Sequence, residues 1–351
     1  MKGLFLMRYR SLILLRISNK RVLLKNFAGI LNETIYSRKT KNKTDLTNKI
    51  TGNWGTLLLP IGRNEQIDFN RLEEELDYLI EAGLDGIYSN GTAGEFHNQT
   101  EAEFDRVQGL MAEKCHRSNI RFQIGASHPA PVISLERLKR TKSLKPFAYQ
   151  VILPAWVVTT REEQISFLQK IAEAADGIPL VLYNPPHARP VLAARDFDAL
   201  RKAVPQLAGI KTGGGDDEWY REMKIISAEL SVFVPGHYLA TGVLHGVASG
   251  AYSNVACLSP KGSQWWWGKI NSDLNDALEI QERILKFFEL CIAPYKNAGY
   301  SNPALDKYLA AIGDWANIGT RLRWPYKWID EQDTAKAKEI ARKLLPEFFN
   351  M

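Results

Sequence analysis

From Gly52 onward, short apolar runs alternate with longer amphipathic segments. Residues 55–60 form a largely apolar run, which is typical of a buried β-strand. Residues 69–82 follow, and Leu72, Leu76 and Leu79 recur there at helical spacing. The same order of strand and then helix recurs roughly eight times before residue 260.

The apolar runs and the amphipathic segments give the predicted elements. We predict strands at residues 55–60, 86–89, 122–124, 149–153, 180–183, 208–211, 231–233 and 251–253. We predict helices at residues 69–82, 101–115, 135–144, 162–175, 194–203 and 218–226, with one more helical run between the last two strands. Further helices are predicted at residues 276–290, 303–312 and 334–345.

This order of elements predicts an α/β fold, a closed (β/α)₈ TIM barrel with a C-terminal helical extension. Apolar strands joined by helical crossovers run parallel and are covered on both faces, and eight such units are the number that closes a barrel. A doubly wound open sheet is the alternative, but no G-x-G-x-x-G follows the first strand to support it. We expect one folded domain over residues 51–351, with the barrel at about 52–260 and the helices at about 261–351.

Residues 1–50, here called the leader, differ from the rest of the chain in charge. They hold 12 Lys/Arg against Glu33 and Asp45, so the leader carries about +10 and the remainder about −4 of the overall +6. Its longest apolar run, residues 12–15, is too short for a membrane span or a signal-peptide core. An organelle transit peptide, a disordered extension and a start codon assigned too far upstream all remain possible.

The charge distribution and the cysteines limit the partners that we expect. The folded body is acidic, so we expect neither nucleic acid nor a membrane as a partner. Cys115, Cys257 and Cys291 are scattered and form no C-x-x-C pair, which favours a reducing compartment such as the cytoplasm. No histidine spacing resembles a metal-binding motif, so we expect no metal.

Three predicted strand ends carry residues with chemical potential. The turn 91–95 holds two glycines and could bind a carboxylate through its backbone N–H groups, or it could be an ordinary turn. Tyr183 ends the fifth strand before two prolines, and a packed core tyrosine is the alternative. Lys211 ends the sixth strand; burial would lower its pKa, although a lysine at a strand end can also reach out to solvent.

Together, these residues fit the chemistry of a 2-oxo acid, because in such barrels the reacting side chains project from the C-terminal ends of strands. A neutral Lys211 amine could attack the ketone and form an imine, the turn could bind the carboxylate, and Tyr183 could move protons. The protonated imine would then stabilise a carbanion at the next carbon. We therefore expect a covalent imine and no separate cofactor.

The motifs resemble the dihydrodipicolinate synthase / N-acetylneuraminate lyase superfamily. Its patterns G-[ST]-T-G-E, Y-N-x-P, G-[IV]-K and G-x-I-S correspond here to G-T-A-G-E at 91–95, Y-N-P-P at 183–186, G-I-K at 209–211 and G-A-Y-S at 250–253. The resemblance extends over roughly residues 52–296. It implies a Schiff-base lyase, either an aldolase or a dehydratase, built as a homotetramer from a dimer of dimers.

The resemblance also implies roles for individual residues. Lys211 corresponds to the Schiff-base residue, Tyr183 to the proton shuttle and Thr92 to its relay. The turn residues Ala93 and Gly94 correspond to the binding site of the pyruvoyl carboxylate.

Several positions depart from the family pattern and bear on the substrate. Ala93 replaces a hydroxyl residue of the turn, and Trp156 stands near the place of a tyrosine that reaches into the neighbouring subunit. Ala188 replaces an arginine that holds the second substrate, although Arg189 follows it. Tyr252 stands in the strand-eight motif. We expect Trp156, Arg189 and Tyr252 to contact the substrate.

These departures make the lysine-pathway synthase and the sialic acid lyase the less favoured alternatives. Pyruvate itself or a 2-keto-3-deoxy sugar acid fits the family range better. A hypothesis of another class is a 2-oxo-acid-binding or regulatory protein that has lost turnover. The retention of both Tyr183 and Lys211 weighs against it, because a binding protein needs neither.

Overall fold

The computed structural model describes residues 49–350, and in that range eight parallel strands close into a barrel in the order β1 to β8. The predicted TIM barrel is therefore confirmed. The strands are β1 (Gly52–Thr56), β2 (Gly86–Tyr88), β3 (Phe122–Gly125), β4 (Ala148–Val151), β5 (Leu180–Asn184), β6 (Leu207–Thr212), β7 (Ser231–Pro235) and β8 (Ala248–Tyr252).

Helices follow the strands and cover the barrel. Those of the barrel are α1 (Phe69–Glu81), α2 (Glu101–Arg117), α3 (Pro131–Thr141), α4 (Arg161–Ala175), α5 (Ala194–Ala203), α6 (Asp217–Ile226), α7 (Leu239–Leu244) and α8 (Asn254–Leu258). The C-terminal extension holds α9 (Pro260–Ser272), α10 (Leu274–Phe287), α11 (Ala293–Asn297), α12 (Asn302–Gly313) and α13 (Thr334–Leu344), and a π-helical turn, Phe288–Ile292, joins α10 to α11.

The first and the eighth strand each begin three residues earlier than predicted. The first strand covers Gly52–Thr56, because the leucines that follow it leave the sheet. Leu57 donates its N–H to the carbonyl of Tyr88, and Leu58 donates to the carboxylate of Glu75. The eighth strand starts at Ala248, because its small and polar first residues pair with β7 and β1 without forming an apolar run.

The barrel interior is a separate apolar cluster of largely aromatic residues. It contains Ile50, Trp54, Tyr88, Ala148, Val181, Phe233 and Tyr252. Ile50 is buried, and its N–H donates to the Ser231 hydroxyl, so it belongs to the folded body and not to the predicted leader. Residues 1–48 of the leader lie outside the described residues.

Local sequence fixes where two of the barrel helices begin. Thr100 and Thr160 cap α2 and α4, and each forms a capping box with a glutamate three residues later.

Within residues 49–350, none of the helices combines the length and the apolar character needed to cross a bilayer.

Candidate active site

A cavity of about 390 Å³ opens at the C-terminal ends of the strands. The ends of β2, β5, β6, β7 and β8 supply one wall, and the π-helical turn with α11 and α12 supplies the other. Chemistry in TIM barrels is found at this end. The C-terminal extension therefore completes the cavity as well as covering the barrel.

Lys211 ends β6 and points into this cavity. Its Nζ atom lies 4.3 Å from the ring centroid of Tyr183, 4.6 Å from that of Tyr88 and 5.3 Å from that of Tyr252. Nζ also donates to the Tyr88 hydroxyl over 3.4 Å. Burial lowers the pKa of Lys211 to about 8, although the nearby carboxylate of Asp306 opposes that shift. An appreciable fraction of the amine is therefore neutral and nucleophilic near neutral pH.

Tyr183 lies beside Lys211, because the two residues are paired in register on adjacent strands. Its hydroxyl oxygen is 3.1 Å from Oγ1 of Thr92, and either group could donate. Burial raises the pKa of Tyr183 to about 12, whereas the hydrogen bond with Thr92 acts in the opposite direction. The phenol is protonated in the resting site and can give up a proton to a reacting oxygen.

The turn 91–95 passes directly over the lysine. A Cβ atom on Gly91 would lie 3.3 Å from Nζ of Lys211 and 3.0 Å from the Tyr88 ring, so a larger residue would require these side chains to shift. Thr92 and Ala93 line the cavity. Among the hydrogen bonds of residues 49–350, neither backbone N–H of these two residues donates to a protein acceptor. Both donors are available to an anion.

Gly94 does not line the cavity, contrary to the expectation that it binds substrate. A Cβ atom there would lie 2.8 Å from the backbone N of Asn90 and 3.1 Å from the carbonyl O of Leu57. The Gly94 carbonyl accepts a hydrogen bond from the Gln99 side chain. Because Gly94 has no side chain, the backbone segments behind the turn can pack closely against it.

Tyr252 contributes a ring to the site but turns its hydroxyl away from it. The hydroxyl donates to Oε1 of Gln123 inside the barrel over 2.7 Å. Its ring packs edge-on against Tyr88 at 4.7 Å, and burial raises the pKa of the Tyr252 phenol. We therefore expect it to act through its apolar face.

Trp156 and Arg189 stand apart from the cavity of this chain. Trp156 is 93% exposed and lies in a turn after β4, beside an apolar groove of about 840 Å³ between α3 and α4. Arg189 is exposed in the loop after β5, and neither residue lines the cavity. The family position of Trp156 implies contact with a neighbouring subunit's site, whereas for Arg189 a loop position next to a motif residue does not fix the direction of the side chain.

The cavity residues that were absent from the sequence-based set of site residues include Tyr88, Asn254 and Asp306. Asn254 contacts Nδ1 of His237, whose pKa is lowered to about 4 by burial, so this imidazole is neutral. Asp306 comes from α12, and burial raises its pKa to about 7 against the opposing effect of Lys211. Asp306 stands between Leu305 and Leu309 on the cavity-facing side of its helix, but periodicity within that helix gives no sign that it covers the barrel mouth.

A buried ion pair ties α12 to the turn over the lysine. Nζ of Lys307 lies 2.5 Å from a carboxylate oxygen of Glu95 and also donates to the carbonyl of Arg321 over 2.7 Å. Both side chains of the pair are almost fully buried. Such a pair holds its elements in register, because separating it would leave an uncompensated buried charge.

The barrel and the lysine–tyrosine pair at its mouth define the class of Schiff-base-forming barrel enzymes. Comparison with known sequences gives the family: the chain belongs to the dihydrodipicolinate synthetase family, whose profile matches residues 49–344. The protein is accordingly a lyase of the class I aldolase type, as the resemblance of its motifs implied.

The relatives and solved structures agree with this assignment. N-acetylneuraminate lyase 2 of Escherichia coli O6:H1 is 26% identical over 293 residues, which cover 82% of this chain and 92% of that protein. N-acetylneuraminate lyase of Escherichia coli K12 is 23% identical, with coverage of 86% and 99%. Two crystal structures share the fold. They are CdNal from Clostridium difficile with mannosamine (TM-score 0.74, 18% identity, coverage 84% and 99%) and YagE from E. coli K12 with pyruvate (TM-score 0.73, 20% identity, coverage 84% and 98%).

Proposed function

We propose that the protein acts on a 2-keto-3-deoxy sugar acid through an imine between Lys211 and C2, either by aldol cleavage, which releases pyruvate, or by dehydration. The observation that carries this proposal is the desolvated Lys211 amine beside the Tyr183–Thr92 pair. In this mechanism the amine attacks C2, Tyr183 protonates the departing oxygen, and water leaves. The reactive group is part of the chain, so no external cofactor is required.

The iminium ion then serves as the electron sink. In the cleavage direction, the Tyr183 phenolate takes the proton from the C4 hydroxyl, the C3–C4 bond breaks, and its electrons pass to the iminium to give an enamine. The aldehyde leaves, C3 is protonated, and water releases pyruvate from Lys211. The N–H groups of Thr92 and Ala93 supply the site for the substrate carboxylate.

Sialic acid lyase is the second candidate, because the E. coli relatives described above carry that name. Ala93 offers no side-chain hydroxyl to the carboxylate, and this absence is our reason for placing it second. Turnover separates the candidates: purified protein should release pyruvate from a 2-keto-3-deoxy sugar acid or consume that acid, and Lys211→Ala should do neither. Faster release of pyruvate from sialic acid would reverse the order, and imine formation without any turnover would favour a binding protein.

We also propose a homotetramer in the cytoplasm. The exposed apolar side chains of Trp156 (93% exposed), Val157 (76%) and Val132 (66%) border the groove between α3 and α4 and suit contact with another subunit. Through that contact Trp156 would approach a neighbouring active site, as its family position implies. Cys115, Cys257 and Cys291 are free thiols, which suits a reducing compartment.

A further inference from the structure

One face of α12 forms part of the cavity wall. Its cavity-lining residues are Asn302, Leu305, Asp306 and Leu309, which recur at the spacing of one helical face. Asp306 is the acidic residue of that face and stands between two leucines. A carboxylate in such a setting is costly unless a donor meets it.

Asp306 has no protein donor within residues 49–350. No hydrogen bond and no ion pair within 4.0 Å engages its carboxylate, although its charge interacts with that of Lys211. A carboxylate accepts hydrogen bonds and, when ionised, donates none. The side chain of Asp306 is only partly buried, so a ligand that displaces solvent from the carboxylate must supply a hydrogen-bond donor in its place.

The position of Asp306 relative to the carboxylate site is fixed by its neighbour in sequence. Lys307 binds Glu95 in the turn that carries Thr92 and Ala93. The helix that carries Asp306 and the turn that carries Thr92 and Ala93 are therefore joined by one buried ion pair. A group held this firmly can discriminate between substrates, because it cannot move away from an unsuitable tail.

The other charged groups of the cavity favour a tail without a second carboxylate. The iminium ion on Lys211 keeps one positive charge, which the first carboxylate, bound by the turn 91–95, balances. Lys296 lines the rim but is exposed, so solvent weakens its attraction for an anion. His237 is neutral, because burial lowers its pKa to about 4. A second carboxylate would meet Asp306 with little compensation.

Resting on the proposed function, we propose that Asp306 is the specificity residue that selects 2-oxo acids with a neutral, hydroxylated tail and rejects those with a second carboxylate. Its carboxylate accepts hydrogen bonds from tail hydroxyl groups. It repels an anionic tail of the same length.

Imine trapping measures this selection without requiring turnover. Full-length protein is titrated with pyruvate, with 2-keto-3-deoxygluconate or with 2-oxoadipate, reduced with borohydride, and read by intact mass. Each half-maximal concentration is divided by that of pyruvate in the same variant, which removes any change in the lysine itself. We expect the wild type to prefer the six-carbon polyol acid over the six-carbon dicarboxylate, and Asp306→Asn to reduce that preference at least about 10-fold.

Asp314→Asn is the matched control, because Asp314 follows the same helix and pairs with Lys338 at the surface. It should keep the wild-type preference. An equal preference in wild type and Asp306→Asn would overturn the inference, as would a wild type that favours 2-oxoadipate. The wild-type comparison with 2-oxoadipate can be read even if Asp306→Asn fails to fold. Absence of a pyruvate adduct from the wild type would instead overturn the proposed function.

Discussion

The rate of imine formation should have an acid limb with its midpoint near pH 8. The midpoint follows the pKa of Lys211. Burial lowers this pKa to about 8, while the facing groups Asp306 and Cys257 act to raise it. With that pKa, about nine-tenths of the amine is neutral at pH 9 and about one-hundredth at pH 6. The initial rate at subsaturating pyruvate should therefore fall about 90-fold over this interval and level off above pH 9.

An ordinary lysine gives a different profile. With a pKa of about 10.4, only about 4% of the amine is neutral at pH 9, and the rate would still rise about sevenfold between pH 9 and pH 10. Initial rates of adduct formation, measured by borohydride quench and intact mass from pH 5.5 to 10, distinguish the two profiles. Circular dichroism across the same range confirms that the fold persists. A rate that still climbs about sevenfold between pH 9 and 10 would refute the assignment of a desolvated amine.

The same assay tests whether Asp306 raises the pKa of Lys211. The carboxylate of Asp306 raises the pKa of Lys211, so Asp306→Asn should move the acid limb to lower pH. Burial raises the pKa of the facing phenols Tyr88 and Tyr183, which therefore stay neutral near pH 8 and do not reverse this direction. An unchanged or higher midpoint would contradict the charge interaction between the two residues.

Three further predictions concern other parts of the molecule. Tyr183→Phe should lower kcat about 100-fold or more in a pyruvate-release assay, while near-normal turnover would demote the phenol to a packing role. Lys307→Met should lower the free energy of unfolding in urea by about 3–5 kcal/mol, because it leaves Glu95 buried without a partner, and a loss below about 1 kcal/mol would contradict this. Deletion of residues 1–48 should leave the melting temperature and activity unchanged; an insoluble truncated chain would make the leader part of the fold.

The sequence predicted the barrel well because most of the buried strands are short apolar runs between amphipathic helices. Lys211 and Tyr183 were correctly placed at strand ends, since a charged or polar group closing such a run marks the mouth of a barrel. Strand limits were less predictable. The apolar residues after Thr56 are buried against helices and not in the sheet, so their hydrophobicity did not distinguish the two environments.

The site residues that sequence reasoning missed or could not orient are those whose position depends on tertiary structure. Asp306 reaches the site because α12 folds back over the barrel mouth, and periodicity within one helix does not reveal what that helix covers. Trp156 and Arg189 lie in turns, where no regular spacing gives side-chain direction. Gly94 shares a motif with residues that line the cavity, but the tight turn directs it to the opposite side.

Borohydride reduction in the presence of pyruvate, followed by peptide mass spectrometry, tests whether Lys211 forms an imine with a 2-oxo acid. We expect a reduced pyruvyl adduct on the peptide that contains Lys211. The adduct should be absent from Lys211→Ala, and circular dichroism should show that this variant is folded. An adduct on another lysine, or none on folded wild-type protein with pyruvate and longer 2-oxo acids, would contradict imine formation at Lys211.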